Sequence, residues 1–213
     1  MDKRVREIKA KKFPKISIKV TPGHFATRHS HINYYVDITE AKSYQRMAKR
    51  VGEALASQFS NLTPVDTIIC LDGSEVVAAF MAAALTTNQD RSINADADIA
   101  VVTPERNHSG QMIFRDNTQS MIWNKNVLLL VASATTGKTL NQAIDSVQYY
   151  SGKVSGIGSV FSAIDQVREF SIKSVFSCED VPDYQTYSLA DCPECKAGRK
   201  IDAIINEFGY SRI

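Results

Sequence analysis

The sequence predicts an α/β fold, a parallel sheet flanked by helices, and three observations point to it. Short, wholly apolar runs rich in β-branched residues recur at 67–71, 99–102 and 127–131, the composition of strands buried on both faces. Segments with helical periodicity separate them, and strands alternating with helices form parallel sheets with crossover connections. The chain has 213 residues, 44% of them hydrophobic and 23% charged, which suits one domain with a well-buried core.

Residues 1–12 are a charged arm, expected as a frayed end or a solvated helix. Ile16, Ile18 and Val20 alternate with Ser17 and Lys19, the pattern of a half-buried strand, which Thr21-Pro22-Gly23 is expected to break. Over 38–59 the period becomes helical, with Met47, Val51, Leu55 and Phe59 on one face, and 61–64 ends the helix. The 67–71 strand leads through Asp72-Gly73-Ser74 into an apolar run, 76–85, read as a buried helix. A strand at 99–102 precedes a polar connection, 103–125, of a length that is usually functional or disordered. The 127–131 strand is followed by a helix over 139–150 with Leu140, Ile144 and Val147 on one face, and 154–164 and 172–176 supply two more strands. The expected organisation is a single domain over 1–213. Its core covers about 38–177, and a smaller hood from about 13–37 and 178–213 sits over the carboxyl edge of the sheet, where open α/β sheets bind ligands.

Twenty-five basic and 23 acidic residues give a net charge of +2, too close to neutral to argue for a nucleic-acid partner. The longest apolar run, 76–85, is about half of a bilayer span, so no membrane partner is expected. The basic N-terminus has no apolar stretch behind it, and four cysteines are too few for a disulfide scaffold. The expectation is a soluble cytoplasmic protein with reduced thiols.

The sharpest chemical signal follows the 127–131 strand: Thr135, Thr136, Gly137, Lys138 and Thr139, then a helix. First-turn amides of a helix lack partners, and its dipole adds about half a positive charge there. Glycine lets the backbone wrap closely, threonine hydroxyls donate hydrogen bonds, and Lys138 adds charge, so the turn suits an anion. An ordinary helix-capping loop is the plainer alternative. An ATP-binding loop of the form G-x-x-x-x-G-K-[ST] lacks its first glycine, since position 132 is Ala.

An apolar strand running into Thr-Thr-Gly-x-Thr resembles the type I phosphoribosyltransferases, and further stretches resemble the orotate branch of that family. The resemblance implies that the 135–139 turn holds the 5′-phosphate of phosphoribosyl pyrophosphate (PRPP). It implies a pyrophosphate loop at Asp72, Gly73, Ser74 and Glu75. Gly23-His24-Phe25 and 28–35 resemble the substrate segment, which implies substrate contacts from Phe25, Arg28 and Tyr35. Glu105-Arg106-Asn107-His108-Ser109-Gly110 resembles the mobile catalytic loop, with Arg106 and His108 as the candidates for neutralising charge on leaving pyrophosphate. Asp165 stands where orotate enzymes carry Asp-Arg and is assigned to the substrate. Mg²⁺ and a homodimer are also implied.

The chain departs from the family in the acidic pair expected before the turn, where it has Val131 and Ala132, and at the Arg of Asp-Arg, where it has Gln166; Arg168 is out of register. In the family the acids bind the ribose hydroxyls and help position Mg²⁺. Two readings stand: transfer of ribose 5-phosphate from PRPP to a nitrogenous base, or non-catalytic binding of a phosphorylated ribose or nucleotide on the same scaffold.

Several residues carry a bland alternative. Arg106 and His108 suit a solvated surface loop, and Tyr34 and Tyr35 suit core packing as well as stacking on a base. His29 and His31 fall on one face of an extended segment, where a metal is conceivable, but hydrogen-bonded or solvent-facing histidines are expected. Cys192-x-x-Cys195 has zinc or redox spacing. It resembles a tail found in some family members. A structural zinc needs four ligands, and no second C-x-x-C or H-x-x-x-H occurs, so plain thiols are expected and no metal is assigned.

Overall fold

The computed structural model describes residues 3–87, 92–107, 110–206 and 208–213. Over its described residues, from Lys3 on, the N-terminal arm is not helical. It holds a strand, β1 (Arg6–Lys9), paired antiparallel with β2 (Ser17–Ala26), Ile8 opposite Ile18. An edge strand offers a row of unpaired backbone groups, and these outweigh the charge of the arm. β2 does not end at Thr21-Pro22-Gly23 either. Its pairing with β3 (His31–Asp37) shifts register between Pro22 and Phe25 and then resumes, the irregularity at which a strand tolerates proline.

The helix expected over 38–59 is two helices, α1 (Thr39–Ser43) and α2 (Gln45–Ala56), broken at Tyr44, whose backbone is extended. Val51 and Leu55 are fully buried. Phe59 lies beyond α2 and packs over glycine: a Cβ at Gly156 would come within 2.6 Å of its ring. β4 (Thr67–Leu71) is buried at every position. Asp72 and Gly73, at φ 57° and 74°, turn the chain directly into α3 (Glu75–Thr87). That helix buries Val77, Ala78, Met81, Ala82 and Leu85 but leaves Val76 exposed, so the apolar run 76–85 is one-sided rather than wholly buried.

After β5 (Ala100–Val102), the long polar connection carries its own structure. β6 (Glu105–Arg106) and β7 (Met112–Ile113) form a ribbon, followed by α4 (Asp116–Gln119). Two 2.7 Å hydrogen bonds from the Arg115 guanidinium to Glu105 brace the ribbon. β8 (Asn126–Ala134) runs past its apolar run to the edge of the 135–139 turn, and α5 (Lys138–Tyr149) buries Leu140, Ile144 and Val147. β9 (Lys153–Ser162), β10 (Gln166–Val167), β11 (Phe170–Ser177) and β12 (Thr186–Tyr187) follow, then the one-turn α6 (Pro193–Lys196) and the hairpin β13 (Ala203–Asn206) and β14 (Gly209–Arg212).

Two six-stranded sheets result. The first has the order β10-β11-β9-β8-β4-β5, parallel throughout except for β10, as the alternating strands and helices predict. Its side chains divide by alternation. Ile68, Cys70, Leu128 and Leu130 face a core shared with α2, α3 and the second sheet, whereas Ile69, Leu71, Val127, Leu129 and Val131 face α5. Each such buried aliphatic side chain contributes about 1.5–3 kcal/mol. The second sheet, β12-β3-β2-β13-β14 with β1 on β2, joins both ends of the chain. Its Ile18, Val20, Phe25 and Tyr35, with Ile16 just before β2, share a core with Phe161, Phe176 and Tyr184. No helix among the described residues is long and apolar enough to cross a membrane.

Candidate functional site

A cleft lies between the carboxyl ends of the first sheet's central strands and the second sheet. Its floor is the end of β8 (Val131, Ala132, Ser133, Ala134) and the whole 135–139 turn. Gly137 is the N-cap of α5 with a left-handed φ of 72°, and its carbonyl accepts the Asn141 amide at 2.9 Å. A Cβ on Gly137 would meet Val167 Cγ2 at 2.8 Å and Ile164 Cδ1 at 3.1 Å. Glycine is therefore needed for backbone conformation and for packing against β10, not only for the approach of an anion. The first turn of α5, with its unpartnered amides, forms part of the cleft wall.

Basic side chains surround this turn: the cations Arg28 from the β2–β3 connection, Lys42 from α1, Arg106 from β6 and Lys138 from α5, with the imidazole of His29 beside Arg28. The His29 imidazole is held below the ordinary histidine pKa by partial burial and then by Lys138, Arg28 and Arg106. The Arg28 guanidinium lies 3.0 Å from the place a Cβ at Gly110 would take, so the 103–115 segment reaches the β2–β3 connection. Among the described residues lining the cleft, Asp72 is the single carboxylate. By charge and by backbone geometry the cleft is suited to an anion.

The residues singled out in the sequence divide into wall and frame. Thr135, Thr136, Gly137, Lys138, Thr139, Arg28, Tyr35, Asp72 and Arg106 line the cleft. Lys42 Nζ donates to the Asp72 carbonyl at 2.9 Å and ties α1 to that turn. Ser74 is buried and donates to the Leu130 carbonyl at 3.1 Å, Glu75 accepts from the Thr103 hydroxyl at 2.9 Å, and the exposed Gly73 carries the turn, so these three frame the cleft rather than line it. Phe25 is a core residue behind Tyr35, ring centroids 6.0 Å apart. Tyr35 does both things expected of it: it is buried, which pushes its phenol up to about 12, and its edge reaches the cleft. Asp165 sits on an exposed turn, where its charge bears on Cys178. Arg168 is bound to Asn141 and Asp145 on α5, which fixes it away from the role of the absent Arg at 166. His108 lies outside the described residues.

His29 and Lys42 are cleft residues that the motifs did not single out for anion binding. Lys42 has no motif context, and only the packing of α1 beside the 72–74 turn brings it in. The histidine arrangement also differs from the expected one. His29 faces the cleft, while His31 pairs with His24 across the β2–β3 register shift, beside Cys192 and Cys195.

No family model matches the chain. It is similar to the orotate phosphoribosyltransferase of Thermoanaerobacter sp. (strain X514), 27% identical over 189 residues that span 87% of this chain and 90% of the relative. Among solved structures it is similar to a phosphoribosyltransferase from Corynebacterium diphtheriae, with a TM-score of 0.52, 18% identity and coverage of 75% of this chain and 90% of that one. It is also similar to the orotate phosphoribosyltransferase of Mycobacterium tuberculosis H37Rv, with a TM-score of 0.50, 19% identity and coverage of 81% and 96%. The fold is that of the type I phosphoribosyltransferases, and the resemblance to the orotate branch is borne out along nearly the whole chain.

Proposed function

We propose that the chain is an orotate phosphoribosyltransferase-like protein whose cleft binds a phosphorylated ribose, with the 5′-phosphate on the 135–139 turn. The observation that carries this reading is the juxtaposition of that turn, at the N-terminus of α5, with Arg28, Lys42, Arg106 and Lys138. The reaction assigned to the cleft is transfer of ribose 5-phosphate from PRPP to a nitrogenous base, with release of pyrophosphate. As the bond from the sugar C1 to pyrophosphate breaks, positive charge builds on the sugar and negative charge on the leaving group. Arg106, on the cleft wall, and Lys42, tied to the Asp72 carbonyl, are the cations this reading assigns to the leaving group.

A second reading, non-catalytic binding of a phosphorylated ribose or nucleotide, is favoured by one specific observation. Val131 and Ala132, in the positions of the family's acidic pair, are buried in the cleft floor and offer no side-chain oxygen to a ribose diol. Magnesium, which the fold family implies, would find few protein donors here and would rest mainly on the phosphates of PRPP. It is a hard cation that takes carboxylate and phosphate oxygens, and Asp72 is the single carboxylate among the described lining residues. No step is therefore routed through a metal. Release of pyrophosphate from PRPP plus orotate, followed enzymatically, separates the readings. Turnover supports transfer, and binding of PRPP without turnover supports the second reading.

A further inference from the structure

His24, His31, Cys192 and Cys195 form a cluster outside the cleft. One donor atom from each lies within 4.8 Å of all the others. His24 Nε2 and His31 Nδ1 face each other at 3.0 Å, Cys192 Sγ is 3.4 Å from His24 Nε2, and Cys195 Sγ is 3.6 Å from His24 Nε2 and 3.3 Å from His31 Nδ1. Zinc bound at about 2.3 Å to sulfur and about 2.0–2.1 Å to nitrogen gives a tetrahedron with edges of roughly 3.3–3.8 Å. The observed sulfur–nitrogen separations fall at those edges, and the nitrogen–nitrogen separation is slightly shorter.

The surroundings prepare the ligands. His24 Nδ1 donates to the Arg199 and Lys200 carbonyls, both at 3.2 Å, which places the proton on Nδ1 and leaves the Nε2 lone pair directed into the cluster. The Asp202 carboxylate accepts the His24 amide at 2.9 Å, and the Asp202 amide donates to the His24 carbonyl at 2.7 Å, so the segment after α6 grips this residue from both sides. Cys192 caps α6 and Cys195 lies within its single turn, which brings both sulfurs to one side. Three of the four ligands are buried. Two thiolates and a dication sum to zero charge, whereas two buried imidazoles and two thiols crowded together gain little from one another. A two-nitrogen, two-sulfur tetrahedral donor set selects zinc.

We infer that His24, His31, Cys192 and Cys195 bind a structural zinc ion that clamps the 192–202 segment to the β2–β3 hairpin. The connection between the two histidines carries Arg28 and His29 into the cleft, so the clamp also fixes the base of that wall. The ion has four protein ligands and no open position for chemistry.

The test is elemental analysis of the untagged full chain, purified without chelator, together with cobalt substitution. The expected result is one zinc per chain. Cobalt(II) should give the intense visible bands of a tetrahedral ion and a thiolate-to-cobalt charge-transfer band. Cys195→Ser should lose the zinc and lower the melting temperature, while Cys178→Ser, outside the cluster, should keep both. If Cys195→Ser fails to fold, the cobalt spectrum of the unmodified chain still decides. A chain without zinc that also yields no tetrahedral cobalt spectrum on reconstitution overturns the inference, as does a Cys192–Cys195 disulfide found by mass mapping.

Discussion

Gly137 and His29 carry the most specific consequences at the level of single residues. Gly137 holds a left-handed φ of 72°, and a β-branched side chain there costs about 1–3 kcal/mol in backbone strain, besides bringing its Cβ against Val167 and Ile164. Gly137→Val is expected to lower the melting temperature and to abolish the thermal stabilisation given by ribose 5-phosphate, because the turn must move off its position. Full stabilisation of that variant would place the phosphate elsewhere. His29 is neutral at pH 7, since burial and three neighbouring cations depress its pKa. In the unliganded protein this favours folding above the ordinary histidine pKa, and that contribution is lost as pH falls toward the depressed value. A bound phosphate reverses the local field and raises the His29 pKa, so binding takes up a proton and strengthens from about pH 8 to about pH 6. Calorimetry in buffers of different ionisation enthalpy should detect this uptake in the unmodified chain and find it reduced in His29→Gln; equal uptake in both removes His29 from the site.

At the scale of elements, β9 meets the α2 side of the core through glycine. Gly156 lies under the Phe59 ring, so Gly156→Val forces Phe59 out of its seat and is expected to destabilise the fold by about 1–3 kcal/mol, measured by urea unfolding. A stability equal to that of the unmodified chain would show that Phe59 contributes nothing to the core. The elements legible in the sequence were those whose burial is uniform or strictly periodic: the β4 and β8 strands, and α5 with Leu140, Ile144 and Val147 inward. Those that were not legible depend on distant partners. β1 is a strand because β2 offers it an edge, and β2 passes Pro22 because its register slips against β3. The break at Tyr44 leaves the four-residue spacing of Met47, Val51 and Leu55 intact and so leaves no trace in the pattern. At the site, a contiguous motif announced the 135–139 turn. Lys42 and the His24–Cys192 contact, 168 residues apart in sequence, come together only through tertiary packing.

For the whole molecule, the two sheets set the division of labour. The parallel sheet supplies the 135–139 turn, to which the proposed function assigns the phosphate, and Asp72 at the carboxyl ends of β8 and β4, where open α/β folds bind ligands. The second sheet, closed by both ends of the chain, brings in Arg28, His29 and Tyr35. The cleft is thus rich in cations and poor in carboxylates, and Val131 and Ala132 hold the floor where a sugar-binding acidic pair belongs in the family the chain resembles. Hydrogen bonds to charged groups are worth about 1.5–3 kcal/mol each, so the proposed function predicts a weaker grip on the ribose diol and on magnesium than on the phosphate. The most direct test is calorimetric titration of PRPP into the unmodified chain, once with magnesium and once with a chelator. Binding is expected in both, with affinities that differ little. Strong binding that requires magnesium would show that another carboxylate has replaced the missing pair, and no binding in either condition would contradict the phosphoribosyl site itself.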